Sequence, residues 1–348
     1  MIDLSSDTAS RPTAEMRRFM ADAPVGDEQR REDPTVNELQ RMTAELMGKE
    51  AALFLPSGTM CNAIAFSTLA GRGEVVVLDR FAHPNLHEGG GPAWLANVML
   101  RPLDGDRGIF TADQVRAVLH PGDTHTARTG LISVENTSNA GGGKIWPLER
   151  LGELRALADE HRIALHMDGA RLLNAVVATG IPAATYAAPV DTVWLDLSKG
   201  LGAPVGAVLA GSERFIERAR RLKHMFGGAM RQAGIIAAGG VYALRHHVDR
   251  LADDHANARL LASGLATIPG IRLLHDPIET NIVFFDVAQT GLTAGELEQR
   301  LNERGVRMDG YGSETVIRAV THIDVSREDC ERAVEAARLA CQAPVSVA

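Results

Sequence analysis

The sequence predicts an α/β fold: a mostly parallel sheet with helices on both faces, followed by a smaller C-terminal α/β unit. Apolar runs of strand length, among them AALFL, EVVVL, GLISV and VWL, alternate with segments of helix length. The runs are near-continuous rather than alternating in polarity, the mark of strands buried on both faces of a parallel sheet. Polar, glycine-containing turns follow the ends of several runs, and in such sheets ligands bind outside the carboxyl ends of the strands.

Composition sets the outer bounds. The 348 residues are 45% apolar and 23% charged, enough for a large core and one or two domains. A net charge of −8 with no basic run argues against nucleic acid as a partner. Cys61, Cys330 and Cys341 are widely separated and form no CxxC or Cys/His spacing, so a reduced compartment and no metal site are expected. The start, MIDLSSDTAS, has neither the basic leader nor the apolar stretch of a signal peptide. No apolar run approaches the roughly 20 residues of a membrane span. A soluble, cytoplasmic protein without membrane partners is expected.

Residues 1–37 read as a polar, irregular arm with a short helix at Thr13–Ala23, packed on the rest of the protein or on a second subunit. The charges of Asp27–Asp33 read as solvated surface. Thr35 caps a helix Val36–Met47, in which Leu39, Met42 and Leu46 recur at helical spacing. A strand Ala51–Leu55, the turn Pro56–Thr59 and a helix Met60–Leu69 follow. Ser57–Gly58–Thr59 at a helix start suits an anion, although such residues also serve as ordinary caps. Strands are expected at Glu74–Leu78, Val98–Pro102, Gly130–Val134 and Ile163–His166. His83 and His87 follow the first of these, and His125 precedes Gly130–Val134. A helix Leu148–His161 leads into Ile163–His166, whose exit carries Asp168, Gly169, Ala170 and Arg171 ahead of a helix Leu172–Thr179.

The strand at Val193–Leu195 ends in Asp196–Leu197–Ser198–Lys199, followed by Gly200, Gly202, Gly206 and a second apolar run, Ala207–Ala210. A lysine held between buried segments can be partly desolvated and so act as an amine nucleophile. The ordinary alternative is a solvated turn lysine. Beyond lie a basic helix Glu213–Phe226, whose Lys223 and neighbours read as a solvated or interface face, and one long helical stretch Ile235–Thr267. Strands near Ile271–Leu274, Asn281–Val287 and Val316–Val320, with helices Ala294–Arg304 and Arg327–Ala340, complete the chain. The expected division is residues 1–240, arm plus large domain, and 241–348, small domain.

Ser57–Thr59, His83, Asp168 and Lys199 thus all follow strand ends. A lysine for an imine, an aspartate for a ring nitrogen and a turn for a phosphate together suit pyridoxal 5'-phosphate. The segments DLSSDTASRP, DPTVNELQ, FLPSGTMCN, HMDGARLLNA, LSKGLGAPVGAVLAG, GGAMRQAGI and IRAVTHIDVS resemble the low-specificity L-threonine aldolases, from residue 2 to about 330. These belong to the aromatic amino acid β-eliminating lyase/threonine aldolase group of fold-type-I pyridoxal-phosphate enzymes. The resemblance implies a seven-stranded sheet, a homotetramer built as a dimer of catalytic dimers, and cleavage of β-hydroxy-α-amino acids such as L-threonine or L-allo-threonine to glycine and an aldehyde.

Residue by residue, it implies Lys199 as the covalent anchor, Asp168 as the ring-nitrogen partner, and Ser57, Gly58 and Thr59 on the phosphate. His83 would stack on the ring near the substrate hydroxyl, with His125 as a second active-site histidine. Ser6, Arg171 and Arg318 would clamp the substrate carboxylate, and Arg231 would reach the phosphate region. One departure stands out: Arg30–Arg31 occupy the place where many members have tyrosine-glycine. Arg30 is therefore expected to meet an anionic group of a substrate or of a subunit interface. Cys61 reads as packed, and His87 as structural. Competing readings are a related lyase or transferase, by β-elimination or glycine-hydroxymethyl transfer, a related pyridoxal-phosphate lyase or aldolase acting on another β-substituted amino acid such as a β-hydroxyaspartate or phenylserine, and a non-catalytic protein on the same fold. The lysine opposite Asp168 argues against the last.

Overall fold

In the computed structural model, which describes residues 1–342, the chain forms two compact units. One is Pro12–Val248; the other joins Met1–Arg11 to the chain from Asp249 onward. The expected division at residue 240 with the whole arm on the large domain therefore differs at both ends. Ile2–Asp3 pairs in parallel with Val306–Arg307, and the Val320 amide donates to the Leu4 carbonyl at 2.8 Å. Ile2 and Leu4 are buried in the core of that unit, so burial of these apolar side chains holds the first residues there.

The large unit is built on seven strands in the spatial order Ala51–Leu55, Ala207–Gly211, Thr192–Asp196, Ala164–Gly169, Thr129–Glu135, Val75–Asp79, Met99–Leu103. All neighbouring pairs are parallel except those made by Ala207–Gly211, which runs antiparallel to both of its neighbours. Leu53, Ile64, Phe66, Val76, Leu78, Leu131, Trp194, Leu209 and Phe215 share one core. Burying each such side chain contributes about 1.5–3 kcal/mol. The helix Pro34–Met47 starts at Asp33, not Thr35: the Asp33 carboxylate accepts the amides of Thr35 and Val36, and Pro34 takes the first helical position, where no N–H is needed.

The stretch expected as one helix, Ile235–Thr267, is two, Gly234–His246 and Leu251–Leu265. The break lies where His247 turns inward, its Nδ1 2.7 Å from the Leu201 carbonyl. Asp253 and Asp254 then sit in the first turn of the new helix, where the dipole favours acids. The smaller unit carries the antiparallel sheet Asp309–Gly310, Val316–Val320, Ile282–Asp286, Arg272–Leu273, with Leu261, Phe285, Ile317 and Ala333 among its core.

Four of the parallel strands of the large unit carry an acid at their last or next-to-last residue, Asp79, Glu135, Asp168 or Asp196, on one edge. Three of these turn the chain by accepting the amide two residues on: Phe81 N to Asp79, Ala170 N to Asp168 and Ser198 N to Asp196. Glu135 accepts the amides of His83 and Asn139 at 2.8 and 2.7 Å. The acids that shape the strand exits thus also set the charge of the edge.

Candidate active site

Trp194 lies at the centre of this edge and connects the groups that the sequence separates. It is buried in the strand beside Asp168, to which its backbone is registered. The Lys199 Nζ sits 5.5 Å from the indole centroid and 2.9 Å from Asp196 Oδ2, with the lysine side chain only 16% exposed. On Gly58 a Cβ would fall 2.3 Å from the indole carbon Cη2, so only glycine lets the helix start lie against the ring. The indole Nε1 donates to Asn62 Oδ1 at 2.8 Å, and Asn62 Nδ2 donates to Asp168 Oδ2 at 2.9 Å. Lysine, glycine turn and aspartate are thereby gathered round one side chain.

Ser57 caps the helix Gly58–Leu69, its Oγ accepting the Met60 amide at 3.3 Å. A helix start leaves its first amides without intrahelical partners, and together with the dipole they suit a phosphate. Gly206, with φ of 104°, returns the chain after the lysine loop; a Cβ there would meet the Phe54 ring at 2.4 Å.

His83 opens the short helix after the strand Val75–Asp79, and its Nδ1 is 2.9 Å from Glu88 Oε1. Burial works against a charged imidazole. The Glu88 hydrogen bond and the charges of Asp168, Glu88 and Glu135 outweigh it and raise His83 above its ordinary value. Burial raises Glu88 as well. His166, beneath Asn62 and Thr192, is pushed down to about 3 by burial and is neutral. Burial, with Asp196, Asp168 and Glu88 nearby, pushes the Cys61 thiol well up, which leaves it a packed, neutral group.

Glu135 is pushed up to about 7, first by burial and then by Asp168. The folded chain then keeps a proton that the unfolded chain has released above its ordinary value of 4.5. The stability that this group contributes falls as pH rises between those values. In thermal melts from about pH 5 to about pH 8, Glu135→Gln is expected to flatten the decline, whatever it costs in absolute stability; an unchanged slope would refute the assignment.

The structure brings together Ser57, Gly58, Thr59, Asp168, Lys199 and His83 at this edge. Arg171, 6% exposed, stands at the start of the helix Leu172–Thr179 directly after the Asp168 strand. Arg231 and Arg30 meet at Asp27: Arg231 Nη1 is 3.0 Å and Arg30 Nε 3.9 Å from Asp27 Oδ2. Arg30 is 74% exposed, and Arg31 pairs with Glu217 at 2.6 Å. Ser6 and Arg318 belong to the other unit, where Arg318 Nη2 donates to the Ser5 carbonyl at 3.0 Å and the guanidinium lies 5.1 Å from the Tyr311 ring.

His125 is not brought to this edge of its own chain. It lies exposed in the loop before Thr129, its amide on Asp123, and lines a surface cavity with Val75, Met99 and His120. The strand Thr129–Glu135 runs from that end to Asp168's neighbour, a separation of roughly 20 Å. A histidine preceding a parallel strand lies at its amino end, opposite the ligand edge.

Sequence reading missed Asn62, Glu88 and Glu135. Asn62 left a signal: a fully buried amide in an otherwise largely apolar helix, CNAIAF, needs partners. Among the described residues no helix is long and apolar enough to cross a membrane.

The family model for beta-eliminating lyases matches residues 3–290. The chain is 44% identical over 329 residues to the low specificity L-threonine aldolase of Escherichia coli (strain K12), covering 94% of this chain and 96% of that protein. It is 38% identical over 333 residues to low-specificity L-threonine aldolase 1 of Arabidopsis thaliana, covering 94% and 93%. In fold it is similar to the solved Leishmania major threonine aldolase, with a TM-score of 0.84 at 23% identity, covering 98% of this chain and 100% of that one.

Proposed function

The chain belongs to the beta-eliminating lyase family, and from that premise we propose that it is a pyridoxal-phosphate-dependent aldolase. It cleaves L-threonine, L-allo-threonine and related β-hydroxy-α-amino acids to glycine and an aldehyde. The observation that carries this reading is Lys199 over Trp194, whose N–H reaches buried Asp168 through Asn62. The residues fit the cofactor: an amine to anchor it, a buried carboxylate for a ring nitrogen, and a helix start kept open by Gly58 for its phosphate.

When bound, pyridoxal phosphate supplies an electron sink for the pair released as Cα–Cβ breaks. Lys199 Nζ would anchor it. Asp168 would hold a proton at the ring nitrogen, with Asn62 keeping the carboxylate aimed. Ser57, Gly58 and Thr59 would bind the phosphate, with Arg231 on its side. Arg171 takes the substrate carboxylate, for which a guanidinium has matching geometry, and Arg318 beside Ser6 is a second group of that shape. His83, directly or through a water, accepts the proton of the β-hydroxyl.

We also propose a cytoplasmic homotetramer. Exposed Phe81, Leu86, Trp94, Met225 and Ile235 support burial against further copies, and the three free cysteines fit a reduced compartment. The test is a visible spectrum of the purified protein before and after L-threonine, with acetaldehyde assayed in parallel and the mass taken by light scattering. A band that shifts as acetaldehyde appears, on a particle of four chains, is expected. A shifting band without acetaldehyde removes threonine as substrate, no band with added cofactor overturns the central claim, and a 37.3 kDa particle overturns the assembly.

A further inference from the structure

His83 is one end of a buried chain of polar groups. The Glu88 side chain behind it is 1% exposed, and its Oε1 also accepts Asn62 Nδ2 at 2.7 Å. The same Asn62 nitrogen donates to Asp168 Oδ2. One amide nitrogen with two hydrogens therefore joins the carboxylate behind the histidine to the carboxylate at the strand exit. Its orientation is settled by Trp194, since an indole N–H can only donate and so must face Oδ1. The amide hydrogens then point at Glu88 and Asp168, and both carboxylates act as acceptors. Glu88 Oε1 is thus set to accept from His83 Nδ1 as well.

We propose that Glu88 is a positioning residue that holds the His83 proton on Nδ1, leaving the Nε2 lone pair for the substrate's β-hydroxyl, and that Asn62 ties this pair to Asp168. The inference rests on the aldolase reading above and names how its base is set. The hydrogen bond made by one ring nitrogen decides the role of the other, and a buried carboxylate behind a histidine fixes both tautomer and orientation. Free histidine favours the proton on Nε2, the wrong tautomer for a base there. The charged or titratable groups facing His83 are Glu88, Glu135 and Asp168, with the His87 ring 5.5 Å away. Each carboxylate favours the imidazolium, so Glu88 also raises the pH at which the base becomes free.

The first readout needs no turnover. In the holoprotein labelled with 15N-histidine, with His83→Asn assigning the signal, His83 is expected to carry its proton on Nδ1, and in Glu88→Gln to shift toward Nε2. With L-threonine, Glu88→Gln is expected to lower kcat ~100-fold with little change in KM. The acid limb of kcat/KM is expected to move about one unit to lower pH. Glu88→Asp, which keeps the charge, is expected to leave that limb near its wild-type position. An Nδ1 without its proton in the wild type, or an acid limb unmoved in Glu88→Gln, overturns the proposal. Were Glu88→Gln to misfold, the wild-type nitrogen shifts and Glu88→Asp would still decide it. Absence of acetaldehyde from the wild type overturns the aldolase reading instead, and the nitrogen shifts judge the His83–Glu88 pairing independently.

Discussion

Replacing Lys199 by alanine is expected to abolish covalent attachment of pyridoxal phosphate and to lower threonine cleavage by about 10⁵-fold. The figure follows from what a tethered amine does: a well-placed intramolecular group acts at an effective concentration of roughly 10⁵ M or more relative to one free in solution. Added methylamine should accordingly restore only a small part of the rate. The chain has four lysines, Lys49, Lys144, Lys199 and Lys223, and their settings separate them. Lys49 donates to the Val190 carbonyl beside the amino end of the Thr192–Asp196 strand. Lys223 is buried on Glu28. Lys199 alone sits at the carboxyl end of that strand, 5.5 Å from the Trp194 ring. Borohydride trapping followed by peptide mass mapping checks the claim. A label on another lysine, or an alanine variant within tenfold of wild type, would sink it. Lys199 is a loop residue whose loss removes one ion pair, with Asp196, so the variant is expected to fold.

What the sequence disclosed depended on whether the deciding contact was local. Turns such as Asp196–Ser198 and Asp168–Ala170 are made within two residues, and the strands that they end were legible as apolar runs. The parallel sheet and the groups at its ligand edge followed from that, while its seven strands were implied by the family resemblance. Long-range partners were not legible. Asp27–Asp33 read as solvated because Asp27, Glu28, Arg31 and Asp33 were seen without the residues some two hundred positions away that meet them. In the structure Asp33 is buried, accepting the amides of Gly26 and Gly234. Nothing in the segment AHPNLHEGG would have announced Glu88 as the partner of both His83 and Asn62, since the latter lies 26 residues away. Ile2 and Leu4 were too few to look like a strand, and only pairing with Val306–Arg307 makes them one. The Arg30–Arg31 departure was legible as a change of chemistry, but Asp27 and Glu217 as its partners were not.

The pair formed by Glu28 and Lys223 shows the energetic side of the same point. Both side chains, 3% and 2% exposed, meet in direct contact, where the sequence suggested a solvated helix face. Glu28 Oε2 also accepts the Met230 amide at 2.9 Å, and the Glu28 amide donates to the Arg231 carbonyl at 2.9 Å. The acid therefore fastens the loop after the helix Glu213–Met225 to the Asp27–Asp33 segment, and with it the backbone of Arg231. Burial pushes Lys223 below its ordinary value despite its partner. Removing the partner leaves a buried ammonium uncompensated, at a cost of about 3–5 kcal/mol. Glu28→Ala is expected to lower stability in urea by about that amount, whereas Glu28→Leu with Lys223→Met, which removes both charges, should recover most of it. The double variant nonetheless loses the acceptor for Met230. Through the loosened Arg231 loop it is expected to bind pyridoxal phosphate more weakly than wild type in a spectroscopic titration. Stability unchanged in Glu28→Ala would show that the pair is not buried as described. Full recovery of cofactor affinity in the double variant would show that the fastening does not reach the phosphate side.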